Sequence, residues 1–275
     1  MRSATAPLLI VILISLSVSG QVGCGGNESR GAKGEAPVRP VFVLIHSPLV
    51  GPTTWQPVAD EMRRRRVDAV VPLLESVEGT NVPYWKQHAE GVVKALENVP
   101  RDRPLILVAH SGGGMLLPAA RQVTGRPVAA YLFVDAMLPE DMKSRLDLFG
   151  SPEAAARFRQ GAKNGRLPVW TDEDLREEIP DDALRRRFVG ELRPLPLAVY
   201  EEPIPVFPGW PDAPCGYLQF TPTYDIGKKR AEASGWAYAR MDGGHFHMLA
   251  DPQAVTEALI KMVEQMGMSV KREAP

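Results

Sequence analysis

Leu105-Ile106-Leu107-Val108-Ala109-His110-Ser111-Gly112-Gly113-Gly114 decides how this chain is read. An apolar run of strand type stops at Ala109-His110-Ser111-Gly112-Gly113, and a helical pattern follows. Small-x-Ser-x-Gly between a strand and a helix is the pattern of a nucleophile elbow. The turn is so tight that the residues two before and two after the serine must be small. It lifts the Ser111 hydroxyl above the end of the sheet. It also aims the Gly112 amide, at a helix start, toward any oxyanion formed there.

Working outward, strand-like runs alternate with helical patterns, which predicts a parallel sheet with crossover helices. Strands are expected at Val41 to His46, Asp68 to Leu73, Leu105 to His110, Ala129 to Asp135, Cys215 to Phe220 and Ala237 to Arg240. Helices are expected at Thr54 to Arg66, Pro83 to Asn98, Gly112 to about Val123, Asp225 to Ser234 and Pro252 to Met266. Between Asp135 and Cys215 the rhythm breaks, because about eighty residues stand where one helix and short loops would suffice. Ser151 before Pro152 and Glu153, Thr171 before Asp172, and Asp181 opening a stretch to Leu192 are helix-start signals. The segment 138–213 is therefore expected to form a helical cap over the C-terminal edge of the sheet, where open α/β folds bind ligands. Phe158, Trp170, Phe188, Tyr200, Phe207 and Trp210 either line an apolar pocket or fill the cap's own small core.

The bulk properties fit one large α/β domain. The chain has 275 residues, 44% hydrophobic and 24% charged, with a formal net charge of −1. That balance leaves no basic footprint for nucleic acid. The run Arg63-Arg64-Arg65-Arg66 reads as a solvated helix end. Arg2, the apolar run Leu8 to Val18, then small residues and Cys24 suit a signal peptide over 1–23, with Cys24 as a lipidation site of lipoprotein type. Plain secretion with cleavage near Ser19 or Gly23 and an uncleaved anchor are the alternatives. Residues 24–37 read as a flexible tether, leaving 38–275 as the folded domain. Export is expected either way, with membrane attachment through lipid on Cys24 in the first case. The second cysteine, Cys215, opens a strand and reads as a small buried hydrophobe. No His, Cys, Asp and Glu cluster has metal-ligand spacing and no Gly-rich phosphate loop occurs, so no metal or organic cofactor is expected.

A serine becomes a nucleophile when a base takes its proton, and the base is sought on a later loop in the order Ser, Asp or Glu, His. Five histidines are present. His110 lies within the elbow and points away from its neighbour, His88 falls on a predicted surface helix, and His46 ends the first strand. His245 and His247 lie in Asp242-Gly243-Gly244-His245-Phe246-His247, between the last strand and the last helix. His245, after two glycines, is the preferred base, with His247 as alternative.

Val41-Phe42-Val43-Leu44-Ile45-His46, the Ala-His-Ser-Gly-Gly elbow and Gly-His-Phe before Asp251-Pro252 together resemble the α/β-hydrolase superfamily over about Val41 to Glu264. The resemblance implies a mostly parallel sheet of about six strands, helices on both faces, and a cap inserted before the penultimate strand. It is nearest to small bacterial esterase-like members with a helical cap. Family usage places the acid beyond the strand that follows the cap, which implies Asp225. Some members carry it one strand earlier, which implies Asp135. Asp242 shares a short loop with His245 and is awkwardly placed. Members usually have His-Gly-X after the first strand, with the amide of X as second oxyanion donor. Here the loop is His46-Ser47-Pro48-Leu49, and Pro48 has no amide proton. The implied donors besides Gly112 are the Leu49 amide, from a shifted loop, or the Ser47 hydroxyl.

The function expected is a serine hydrolase acting on small carboxylic esters through an acyl-enzyme on Ser111. A lyase using the same triad as acid and base, and a binding protein retaining the fold without chemistry, are the alternatives. Fold alone does not choose among them.

Overall fold

The computed structural model describes residues 39–270. The leader 1–23, Cys24 and the tether 24–37 lie outside the described residues. From β1 (Val41–Ile45) the chain passes a short 3-10 turn into α1 (Gln56–Arg64), then β2 (Ala69–Val70), α2 (Tyr84–Ala95), β3 (Leu105–Ser111), α3 (Leu117–Thr124) and β4 (Val128–Ala136). The inserted segment carries α4 (Pro152–Gly161), β5 (Arg166–Leu167), α5 (Asp182–Glu191), β6 (Leu195–Pro196) and α6 (Ala198–Glu201). The chain closes with β7 (Cys215–Gln219), α7 (Asp225–Ser234), β8 (Ala237–Arg240), α8 (His247–Ala250) and α9 (Pro252–Gln265).

Six strands form one sheet in the order β2-β1-β3-β4-β7-β8, each pair parallel. This is the α/β-hydrolase architecture that the motifs imply. Alternation along the strands sends side chains to two cores. Phe42, Leu44, Ile106, Val108, Leu132 and Val134 pack with Val58 and Met62 of α1 and Val255, Leu259 and Val263 of α9. Val43, Ile45, Leu105, Leu107, Tyr131 and Phe133 pack with Ala89 and Val92 of α2, Leu117 and Ala120 of α3, and Ala231 of α7. Fully burying one such large side chain is worth about 1.5–3 kcal/mol, so the two layers supply most of the fold's driving force. From β1 the chain runs outward to β2 and returns on the other side as β3. The ends of β1 and β3 therefore flank a switch point, where a crevice forms in open α/β sheets.

Several expectations are corrected. The second strand is only Ala69–Val70, because it is an edge strand paired to β1 alone. The helix after Ser111 opens as a 3-10 turn, Gly112–Leu116, and becomes α-helical only at Leu117. His88 is not on the surface. It is buried, with Nε2 2.8 Å from Ser76 Oγ, because the loop before α2 folds over that helix. In the inserted segment Ser151 and Asp181 cap α4 and α5 through Ala154 and Leu184 N–H. Thr171 and Asp174 bond each other reciprocally at the head of a series of turns, not a helix. The cap is not purely helical, since β5 and β6 pair antiparallel within it.

Candidate active site

The elbow is held in a backbone that side chains rarely adopt. Ser111 has φ +55° and ψ −132°, a conformation costing of order 1–3 kcal/mol unless its surroundings enforce it. β3 fixes the approach, and Met137 N–H donates to the Ser111 carbonyl at 3.0 Å. Glycines fix the exit. A methyl group on Gly113 would stand 2.6 Å from the His46 carbonyl oxygen, and one on Gly114 would overlap the Met137 carbonyl. The tight triple-glycine turn lets β3, the His46 loop and the end of β4 converge.

Asp135 occupies a second strained position, with φ +42°, where the β3–β4 register skips from His110↔Val134 to Ser111↔Ala136. The irregularity turns its carboxylate toward the loop beyond β7. Oδ1 accepts from Phe220 N–H at 3.0 Å and Thr221 N–H at 2.9 Å, and Oδ2 accepts from Thr221 Oγ1–H at 2.9 Å. Its fourth partner is His245, whose Nδ1 lies 2.7 Å from Oδ2. The Tyr217 hydroxyl braces the next residue from β7, donating to Ala136 O at 2.7 Å and accepting from Ala136 N–H at 2.9 Å. A carboxylate can only accept from Nδ1–H, so Nε2 of the neutral ring is the free acceptor.

The pairing corrects the acid expectation. Asp225 is exposed at the head of α7 and accepts from Gln219 Nε2–H at 2.6 Å, away from His245. The physical cause is the 3-10 turn Pro222–Tyr224, which uses the residues after β7 to deliver Thr221 to Asp135 and Tyr224 to the serine. Tyr224 was not singled out by sequence, although it is adjacent to the expected acid. Its hydroxyl is 3.2 Å from Ser111 Oγ, and its ring stacks on His245 at 5.3 Å with planes 3° apart. Burial pushes the Tyr224 phenol well up, so it stays protonated. Ser111 Oγ and His245 Nε2 are not hydrogen-bonded to each other in this state; the serine must leave Tyr224 to deliver its proton. Such contacts commonly tighten only when substrate binds.

His110 is not a base. Its Nε2–H donates to the His245 carbonyl at 2.9 Å, its ring lies 4.3 Å from the His245 ring, and burial drives its pKa far down. It holds the His245 loop as a neutral donor. His247 meets the edge of Phe220 at 5.4 Å. From the cap, Trp170 and Phe188 pack against Phe246 at 5.9 and 5.1 Å, and Glu178 accepts from Phe246 N–H at 3.3 Å. The cap thus presses on the loop that carries His245. Trp210, by contrast, packs on Tyr131 and Phe133, away from any pocket over Ser111.

The loop after β1 is buried. His46 Nδ1–H donates to Ser47 O at 2.7 Å, and burial lowers the His46 pKa to about 4. Leu49 N–H is directed at Ser47 Oγ at 3.4 Å, and Ser47 Oγ lies 3.3 Å from the Tyr200 hydroxyl. A methyl group on Gly112 would meet Tyr200 Oη at 2.9 Å and Ser47 Oγ at 3.3 Å. Ser47 therefore borders the Gly112 backbone, whereas Leu49 points its amide into the loop itself. On the cap side of this loop a cleft of about 710 Å³ is lined by Pro48, Leu49, Leu74, Leu192 and Leu195 among others. Among the described residues, no group of three or more His, Cys, Asp or Glu side chains is placed to hold a metal, and no helix is long and apolar enough to cross a membrane.

Comparison with known proteins agrees with this geometry. Methylesterase 1 of Arabidopsis thaliana is 31% identical over 119 residues, 40% of this chain and 45% of that protein. The chain spans about half the length of the curated plant methylesterases it matches first. The carbendazim hydrolyzing esterase of Nocardioides sp. (strain SG-4G) is 26% identical over 247 residues, 79% of this chain and 97% of that protein. In three dimensions the chain is similar to an extracellular alpha/beta-hydrolase from a Paenibacillus species, with TM-score 0.66 at 20% identity, covering 81% of this chain and 98% of that one. The model of the alpha/beta hydrolase family matches residues 42–258, and with its sheet order and strained serine elbow the chain belongs to that family.

Proposed function

We propose that this protein is a serine carboxylesterase acting on small esters, with Ser111 as nucleophile, His245 as base and Asp135 as the acid that orients it. The observation that carries the proposal is a strained serine that shares Tyr224 with an imidazole whose Nδ1 is already bonded to a buried carboxylate. Serine attack gives a tetrahedral oxyanion as His245 Nε2 takes the proton. The same proton then goes to the leaving alcohol, and water, activated by His245, clears the acyl-enzyme. Asp135 keeps the ring in the tautomer that can accept and stabilises the imidazolium. Gly112 N–H and the Ser47 hydroxyl hold the oxyanion, since Pro48 has no amide proton and Leu49 N–H is turned to Ser47.

Small substrates are favoured by two considerations. The cap's Phe149, Phe158 and Tyr200 pack on one another, at 4.8 to 6.1 Å, and so fill its interior. The similar proteins include methylesterases and a carbamate-fungicide-named esterase, which points to esters of small alcohols. Export, with lipid on Cys24, belongs to the same proposal and rests on Leu8 to Val18 and Cys24 alone.

The test is a panel of methyl and p-nitrophenyl esters of rising acyl length, with fluorophosphonate labelling read by peptide mass. Hydrolysis of short esters, a label on Ser111, and loss of both in Ser111→Ala are expected. A folded wild-type protein that takes no label and cleaves no ester refutes the proposal.

A further inference from the structure

The oxyanion site lacks the amide that Pro48 cannot supply, and the cap brings a different donor to the same place. Tyr200, from α6, is buried, with its hydroxyl 3.3 Å from Ser47 Oγ. A methyl group on Gly112, two bonds from the amide nitrogen, would stand 2.9 Å from that hydroxyl, closer than to any other atom. The two hydroxyls carry two hydrogens, and their mutual bond uses one. Leu49 N–H donates into Ser47 and consumes neither. One hydroxyl hydrogen therefore stays uncommitted beside the elbow. Bonds of 3.3 and 3.4 Å are long for a hydroxyl acceptor or donor, and they exchange readily for a charge-assisted one.

A cation stands behind this hydroxyl. Arg145 is wholly buried; its Nε–H donates to Gly112 O at 2.9 Å and its Nη1–H to Val199 O at 2.8 Å. Its guanidinium carbon lies 5.6 Å from the Tyr200 ring centroid. No carboxylate lies within ion-pair distance of it, and Nη2 has no hydrogen-bond partner. An unneutralised positive charge in a low-dielectric interior strengthens a neighbouring phenol as donor and favours negative charge on the elbow. It also ties α6 to the Gly112 carbonyl, which sets the tyrosine's height above the elbow.

We infer that Tyr200 is a catalytic residue, a hydroxyl donor from the cap that joins Gly112 N–H in holding the oxyanion, with Arg145 as its positioning residue. The inference rests on the ester-hydrolase proposal and adds that the site is complete only when α6 is seated. No new bond-making step is involved: Tyr200 keeps its proton and lends a hydrogen bond that strengthens as charge develops on the carbonyl oxygen.

The experiment compares Tyr200→Phe with Ser47→Ala on the best short ester. Each variant is also titrated with a trifluoromethyl ketone, which forms a hemiketal oxyanion on the serine, and with the matching methyl ketone, which does not accumulate one. Tyr200→Phe should lose about 10²-fold in kcat with KM within about threefold, the size of one oxyanion donor. It should weaken the trifluoromethyl ketone by a similar factor and leave the methyl ketone unchanged. A merely structural tyrosine would weaken both ketones together, and that result overturns the inference, as does a kcat within about threefold of wild type. A loss confined to Ser47→Ala makes Ser47 the donor and likewise overturns it. Arg145→Lys combined with Tyr200→Phe should fall no further than Tyr200→Phe alone, the non-additivity of residues acting as a unit. A wild-type protein that neither cleaves esters nor forms the hemiketal defeats the underlying proposal as well, so the two failures are separable.

Discussion

Replacing Asp135 by Asn should nearly abolish turnover while leaving the fold in place, and the size of the effect follows from the four bonds the carboxylate accepts. An Asn carbonyl oxygen at the Oδ1 position keeps the Phe220 and Thr221 N–H donors. The amide nitrogen then falls at Oδ2. The Thr221 hydroxyl adapts by rotating to accept. His245 has no such freedom, because a donor facing Nδ1 forces the proton onto Nε2, and the ring can no longer take one from Ser111. Tautomer inversion of this kind costs about 10⁴ in kcat, or about 5 kcal/mol in the barrier. Weakening the buried network should cost about 1–3 kcal/mol of stability. Asp225→Asn keeps its single exposed bond to Gln219 and should leave kcat within about threefold. The assay is steady-state hydrolysis of the best short ester by both variants, with near-UV circular dichroism to show that each is folded. An Asp135→Asn enzyme retaining a tenth of wild-type kcat, beside an Asp225→Asn enzyme that has lost a thousandfold, would refute the assignment of the acid.

Tyr224→Phe keeps the stacked ring on His245 and removes only the bond to Ser111 Oγ. The expected change in kcat is under about tenfold, the worth of one hydrogen bond, measured on the same ester; a loss as deep as Ser111→Ala would give the phenol a chemical role. Gly114→Ala drives a methyl group into the Met137 carbonyl and should lower stability by about 1–3 kcal/mol, read from urea midpoints, with an unchanged midpoint contradicting the packing described. Burial raises the Glu202 pKa from 4.5 to about 7. The folded state therefore holds the Glu202 proton more tightly than the unfolded chain, and stability falls as pH rises from about 4.5, with the full cost reached above about 7. Glu202→Gln should raise Tm at pH 8 and change it little near pH 4.5, and a gain of equal size at both values would show that ionisation is not the cause.

The strand-to-helix elbow at Ser111, the histidine at 245 and the parallel sheet were legible in the chain itself. Each rests on local covalent demands: small residues where backbones converge, period-2 apolar runs for strands, glycines before a residue that must turn sharply. The seating of α1 and α9 on one face and α2, α3 and α7 on the other followed from the same alternation. Local rules ran out wherever two distant segments had to meet. Asp135 or Asp225 was an open choice on sequence because both end up near the C-terminal edge of the sheet. It was decided by a positive φ at a register skip in β4 and by the N–H groups of Phe220 and Thr221 arriving from β7. The same holds for Tyr224 on Ser111, for His88 inside, and for Tyr200 and Arg145 beneath the elbow, which lie 113, 33 and more residues from their partners in the chain. Spacing along a polypeptide encodes which backbone conformations are affordable. Which hydroxyl faces which carboxylate depends on how packed layers converge, and that is a property of the folded whole.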